Sequence, residues 1–385
     1  MTHRRNTKQI LIITGEASGD QHGANLALAL KALDPDVEIC GVGGARMKAA
    51  GVRLVEGIGR LDVIGMVGVT ALRAVVQRVL SIRRLLRAER WDAVVLIDHP
   101  GLNVHFARMA KQAGHRVVYY IAPQLWAWRP GRMRAIRRWV DHVCVILPFE
   151  EELYRRGGVP CTFVGHPLLD DMAGSYDRDQ VRAAYGLPRD ATVVGLLPGS
   201  RMGEVRALLP LMLDAVRVLG HQGMRLILAV ADTVDRDEIK RICEGAGADV
   251  RLVAGDASGV MAASDMLVVA SGTATLQAAI VGTPMVIVYK VPWISYGLAR
   301  LFVRVRSIGL ANLIAGRPFI PELIQTEATP ANLAAEARRI LDDVTYRDAM
   351  QAEMGRVRSL LGGPGASRRA AAVVLGQLSH REAGA

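Results

Sequence analysis

Aromatic residues make up only 5% of this 385-residue chain, although 51% of it is hydrophobic. Aliphatic side chains and alanine must therefore fill whatever cores it builds. Cysteine is rarer still. Cys40, Cys144, Cys161 and Cys243 lie far apart with no C-x-x-C pair, which excludes a disulfide framework and a zinc-ribbon pattern and suits a reducing compartment. No apolar run reaches the roughly 18 residues of a membrane span, so membrane contact is expected to be peripheral. The basic start is followed by Ile10-Leu-Ile-Ile13, too short an apolar run for a signal segment. It predicts a disordered beginning and then a first strand. There is no internal repeat, no G-x-G-x-x-G fingerprint and no P-loop.

What the chain has is positive charge: a formal net +11 with 22% charged residues. That balance favours partners bearing phosphate, whether nucleic acid, an anionic membrane surface or a phosphorylated substrate. The length suggests two domains. Short apolar runs over 10–14, 37–42, 93–98, 116–121, 143–147 and 161–164 read as strands separated by amphipathic helical stretches. A second series covers 192–197, 225–230, 250–253, 266–270 and 285–289. Continuous apolar strands alternating with helices predict an α/β fold with parallel sheets covered on both faces. The polar stretch 168–186 predicts the link. The expected division is 1–168, 169–345 and a helical tail over 346–385, with ligands at the carboxyl ends of the strands.

Four places there can carry chemistry. Gly15-Glu-Ala-Ser18-Gly19-Asp20 follows the first strand and opens a helix, whose free N–H groups can face a ligand; it also reads as a tight turn capped by Ser18 or Asp20. Asp98 ends its strand before His99-Pro-Gly101, as a general base or as a turn residue, and His99 is a second candidate. Gly199-Ser200-Arg201 can hold a diphosphate through backbone N–H groups and a guanidinium, or be a capping turn beside a surface arginine. Ser271-Gly272-Thr273 repeats that design, with Gln277 one helical turn on, within reach of a ribose. The pairs Asp34/Asp36, Asp177/Asp179 and Asp235/Asp237 sit in polar connections and read as caps, and no metal or other cofactor is expected. Apolar residues mixed with arginines over 64–91 and 293–306 suit an interfacial helix or ordinary packing. The segment from Trp126 to Trp139 reads as a nucleic-acid platform, a lipid-phosphate contact or a structural turn.

Taken in order, these runs resemble the lipid-A-disaccharide synthase family of GT-B glycosyltransferases. The matching residues are Gly15–Asp20, Gly41-Val-Gly-Gly44 with Arg46-Met47, Ile97-Asp98, Pro123-Gln-Leu-Trp-Ala-Trp-Arg129, Leu147-Pro-Phe-Glu150 and Val164-Gly-His-Pro167. The second half adds Leu197-Pro-Gly-Ser-Arg201, Ala270-Ser-Gly-Thr-Ala274, Asn312-Leu-Ile-Ala-Gly-Arg317 and Pro321-Glu-Leu-Ile-Gln325.

The resemblance implies two Rossmann-like domains facing a central cleft, with the last helices crossing back to the first domain. It implies transfer of 2,3-diacylglucosamine from its UDP form to 2,3-diacylglucosamine 1-phosphate, with inversion to a β-1,6 linkage and no metal. Asp98 would be the base. Gly15, Ser18, Gly19, Asp20, Gly199, Ser200, Arg201, Ser271, Gly272, Thr273, Gln277 and Asn312 would bind substrate or UDP. The expected partners are the two lipid-linked sugars and the inner face of a cytoplasmic membrane. A homodimer is one allowed assembly, and no nucleic acid is expected. Gly101 and Gln277 stand where family members often carry Asp and Glu, and Gly68 where a Glu is usual. The remaining readings are another GT-B protein, such as a UDP-N-acetylglucosamine 2-epimerase, a basic nucleic-acid-binding protein, and a membrane scaffold without catalysis.

Overall fold

The computed structural model describes residues 7–15, 17–55, 58, 69–99, 101–123, 125, 131–172, 174, 176–221, 223–291 and 307–382. The candidate membrane stretch 293–306, residues 64–68 of the other, Pro100 and residues 126–130 lie outside them. The chain divides into two compact units, Met1–Asp171 with Leu361–Ala385, and Met172–Leu360.

In the first unit β1 (Gln9–Thr14), β2 (Glu38–Val42), β3 (Arg53–Leu54), β4 (Ala93–Ile97), β5 (Arg116–Tyr120), β6 (His142–Val145) and β7 (Cys161–Phe163) form a wholly parallel sheet, ordered β3-β2-β1-β4-β5-β6-β7. The apolar run of β4 is buried along its whole length, as expected of a strand covered on both faces. One cover holds Leu26, Leu30 and Val374 over Ile10, Ile12 and Val95. The other holds Ile82, Leu86 and Phe106 over Leu11, Val94 and Leu96.

The last helix, Ala366–Glu382, belongs to the first cover, packing along helix Ala17–Leu33. Asp170 accepts from the backbone N–H of Gly365 and Ser367 at its start, and Arg369 donates from Nε to the Val164 carbonyl at 2.8 Å. Helix Val344–Leu360 stays with the second unit, so the C-terminal tail is shared between the two.

The second unit repeats the plan with β8 (Val193–Leu197), β9 (Arg225–Val230), β10 (Val250–Ala254), β11 (Met266–Ala270), β12 (Met285–Tyr289) and β13 (Glu322–Ile324), ordered β10-β9-β8-β11-β12-β13 and again parallel. Both sheets are open, with no closed barrel. The polar stretch 168–186 contains two short helices, Leu168–Asp171 and Arg178–Ala184, the second capped by Asp177. β3 and β13, two and three residues long, have no counterpart in the sequence reading.

In each sheet the strand order reverses beside the first strand of the unit, between β1 and β4 and between β8 and β11. Open α/β sheets bind ligands outside the carboxyl ends of their strands at such a point. Thr14 is paired with Ile97, so Gly15 and Asp98 leave the first sheet side by side. Leu197 is paired with Val269, so Gly199 and Ser271 leave the second in the same way.

Candidate functional site

At the first reversal point β4 ends at Ile97, and Asp98 turns at once. Asp98 and His99 both have left-handed backbones, with φ of 53° and 48°, a conformation few non-glycine residues adopt. Their surroundings hold it. The Tyr119 hydroxyl donates to the Asp98 carbonyl at 2.8 Å. Asn103 donates from Nδ2 to the carbonyls of Ile97, at 3.1 Å, and Asp98. Its backbone N–H donates to the His99 carbonyl at 3.2 Å. Asp98 is half-buried, and among the described residues none hydrogen-bonds its carboxylate. His99 Nδ1 accepts from the Leu102 N–H at 3.4 Å.

Gly15 makes the room for His99: a Cβ there would lie 2.4–2.8 Å from three of its side-chain carbons. Gly19 is buried, its would-be Cβ 3.2 Å from that of Thr14, and Ser18 is exposed in the first turn of the helix. Asp20 departs from the expectation of a ligand contact. It is buried, and its carboxylate accepts from the N–H groups of Gly44 (2.7 Å), Arg46 (3.1 Å) and Met47 (3.2 Å). Those donors start helix Ala45–Ala49. A carboxylate at a helix start satisfies otherwise unpaired donors, so Asp20 ties two elements together.

Two histidines near this point were given no role by the sequence reading, although His166 lies in the matching run Val164-Gly-His-Pro167. Burial lowers the pKa of His22, with Asp171 and Asp98 opposing the shift. Burial, and then His22, push His166 down to about 4. Both imidazoles are neutral near pH 7. His166 Nδ1 accepts from the Leu168 N–H at 3.2 Å, while His22 Nδ1 is buried without a partner among the described residues.

At the second reversal point a cavity of about 500 Å³ gathers Gly199, Ser200, Arg201, Ser271, Gly272, Thr273 and Gln277. Helices Met202–Leu219 and Thr273–Val281 begin there, and neither start carries a side-chain cap. Their free N–H groups and partial positive charge suit an anion. Gly199 has φ 114°, and a Cβ on it would strike the Glu204 carboxylate. Arg201 is 69% exposed and pairs loosely with Glu204 at 3.3 Å, so its guanidinium is free to turn to a ligand. Ala231, Asp232 and Gly255, from the loops after β9 and β10, and Ala257, the first residue of helix Ala257–Ala263, extend the lining, and the sequence reading left all four unassigned.

Asn312 departs from the expectation of a direct contact. It is 1% exposed. Its Nδ2 donates to the Ile320 carbonyl and to Glu322, and its Oδ1 accepts from Phe319 and Ile320, which uses all four positions of the amide. Glu322 in turn accepts from the N–H groups of Ile308 and Gly309, and Ser271 Oγ donates to the Ile308 carbonyl at 3.3 Å. Asn312 thus braces the loop against which Ser271 rests.

A cavity of about 560 Å³ opens at the amino ends of β8, β11 and β12, the wrong end of the sheet for this chemistry. Asp265 there is held by Arg178 and Arg182. Asp177 and Asp235 are helix caps, and Asp34 pairs with Lys8. Among the described residues no three His, Cys, Asp or Glu side chains gather as a metal site would need, and no helix is long and apolar enough to cross a membrane.

The family model described as lipid-A-disaccharide synthetase matches residues 10–374. The lipid-A-disaccharide synthase of Syntrophus aciditrophicus is 44% identical over 374 residues, 96% of this chain and 98% of that protein. Among solved structures, a UDP-N-acetylglucosamine 2-epimerase reported as putative from Listeria monocytogenes aligns with a TM-score of 0.66 at 15% identity, over 98% of each chain. The UDP-GlcNAc 2-epimerase of Neisseria meningitidis bound to UDP-GlcNAc aligns at 0.65 and 12%, over 95% of this chain and 99% of that one. These two likenesses are of fold.

Proposed function

The chain belongs to the lipid-A-disaccharide synthase family, and from that premise we propose how its two reversal points divide the reaction. It is a glycosyltransferase of lipid A biosynthesis with the GT-B-like fold, acting on a UDP-sugar-type substrate. The donor is UDP-2,3-diacylglucosamine and the acceptor 2,3-diacylglucosamine 1-phosphate. The second unit holds the donor's UDP and the first supplies the base.

The observation that carries this assignment is the meeting of two uncapped helix starts with Arg201 at one cavity. A diphosphate brings negative charge to these donors, where, among the described residues, Arg201 is paired only with the Glu204 carboxylate, and the charge grows as the glycosidic bond to UDP breaks. Donors already in place stabilise that change without reorganising. Gly199, Ser200, Gly272 and Thr273 contribute close backbone approach and hydroxyls, and Gln277 reaches the ribose. In the first unit the Asp98 carboxylate takes the proton from the acceptor's 6-hydroxyl. The oxygen attacks the anomeric carbon from the face opposite UDP, so an α donor gives a β-1,6 disaccharide 1-phosphate and UDP. The residues carry every step without a metal.

Helix Val69–Ala88 supports a peripheral contact with an anionic membrane. Val76 and Leu80 are 48% and 42% exposed, beside exposed Arg73, Arg83, Arg84 and Arg87, while Ile82 and Leu86 are buried in the core. Exposed apolar residues among arginines suit the headgroup region on the inner face of the cytoplasmic membrane.

The test is turnover of the two lipid-linked sugars in detergent with EDTA, followed by mass spectrometry. Disaccharide rising in step with UDP is expected. UDP without disaccharide would make the protein a hydrolase, and no change in either sugar across acyl lengths would sink the assignment.

A further inference from the structure

We infer that Tyr119 and Asn103 are positioning residues for the reaction: they clamp the peptide after Asp98 and so aim its carboxylate. The inference rests on the reading of Asp98 as the base. Two consecutive non-glycine residues in the left-handed region, Asp98 and His99, are costly, and such strain survives only where neighbours over-determine it. Here two donors from different elements converge on one carbonyl. Tyr119 reaches it from β5 at 2.8 Å, and Asn103 from the first turn of helix Asn103–Gln112.

Both side chains are fully buried, so water does not substitute for either. Burial and the nearby Asp98 charge raise the Tyr119 pKa far above its ordinary value, and its hydroxyl is a donor at every working pH. Neither residue hydrogen-bonds the carboxylate. They act on the backbone that carries it, and Gly15 completes the corner by leaving space for the His99 ring.

A general base must meet its proton within hydrogen-bond reach, and displacement of a reacting group by about 1 Å can cost about 100-fold in rate. Loss of the clamp should therefore fall on kcat. The experiment compares Tyr119→Phe and Asn103→Ser with the native enzyme in kcat, KM for both sugars, UDP affinity and melting temperature.

The expected result is a kcat lower by about 10- to 100-fold, with KM and UDP affinity within about twofold of native and the fold intact. Glycine adopts the left-handed conformation freely, so placing His99→Gly beneath Tyr119→Phe should shrink the kcat loss, measured against His99→Gly alone. A native kcat in both folded clamp variants, or a loss carried by KM or UDP affinity, overturns the inference. Asp98→Asn is measured alongside: turnover there at the native rate removes Asp98 from the mechanism, whatever the clamp variants do.

Discussion

A methyl group on Gly15 would sit inside van der Waals contact of the His99 ring, 2.4 Å from its nearest carbon. Gly15→Ala must displace either that ring or the start of the helix that follows. We expect turnover to fall at least about 10-fold while UDP binding, which we propose for the other unit, is unchanged; a UDP titration beside a rate assay decides it. Arg201 makes the opposite demand. It is exposed and only loosely paired, so Arg201→Ala should leave the melting temperature alone and weaken UDP binding. A charge-assisted hydrogen bond is worth about 1.5–3 kcal/mol, roughly a 10- to 150-fold rise in Kd by calorimetry. An unchanged Kd would take Arg201 out of the donor site. The place of Asp98 was legible because a carboxylate that ends an apolar strand is visible in one dimension. Its clamp was not. Tyr119 reads as one more position of the apolar run 116–121, and Asn103 has nothing in the sequence to single it out.

Between elements, Met47 and Asp20 show what the chain order conceals. Met47 is fully buried in a slot walled by glycines: a Cβ on Gly23, Gly41 or Gly43 would lie 2.7, 2.4 or 2.2 Å from its nearest thioether atom. Asp20 pins the same helix by accepting three of its backbone N–H groups. The two runs that carry the family resemblance here, 15–20 and 41–47, are therefore largely one packing unit. Asp20 was read as a ligand contact or as a cap of its own turn because its partners stand more than twenty positions away, and nothing local announces them. Asp20→Ala strands three donors, and we expect a loss of about 2–3 kcal/mol with faster amide exchange confined to residues 44–49. Full stability with unchanged exchange there would mean that Asp20 is not what holds this helix start. Long apolar strands such as β4 and β11 were legible for the complementary reason, that burial on both faces writes itself into consecutive residues. β3 and β13 were not, being too short for any period.

For the molecule as a whole, the two units should answer acid differently. In the first, burial holds His166 near pKa 4 and lowers His22 as well. His166 faces His22, and His22 faces Asp171 and Asp98. As pH falls below the ordinary histidine value of 6.5, the unfolded chain takes up protons that the folded unit refuses, so stability is lost until the folded pKa is reached. For His166 alone this amounts to on the order of 3 kcal/mol between pH 6.5 and 4. In the second unit, Arg356 and Arg317 hold the Glu353 carboxylate down to about 2. That group's contribution is complete above the ordinary carboxylate value and is lost only as pH falls toward 2. Hydrogen exchange of the intact chain at pH 7.5 and pH 5, corrected for intrinsic rates, should therefore show β1 and β4 losing protection while β8 and β11 keep theirs. His166→Gln, which keeps a polar side chain but does not titrate, should flatten the response of the first unit. If all four strands lose protection equally, or if His166→Gln follows the native chain across the range, the buried imidazoles do not set the acid sensitivity.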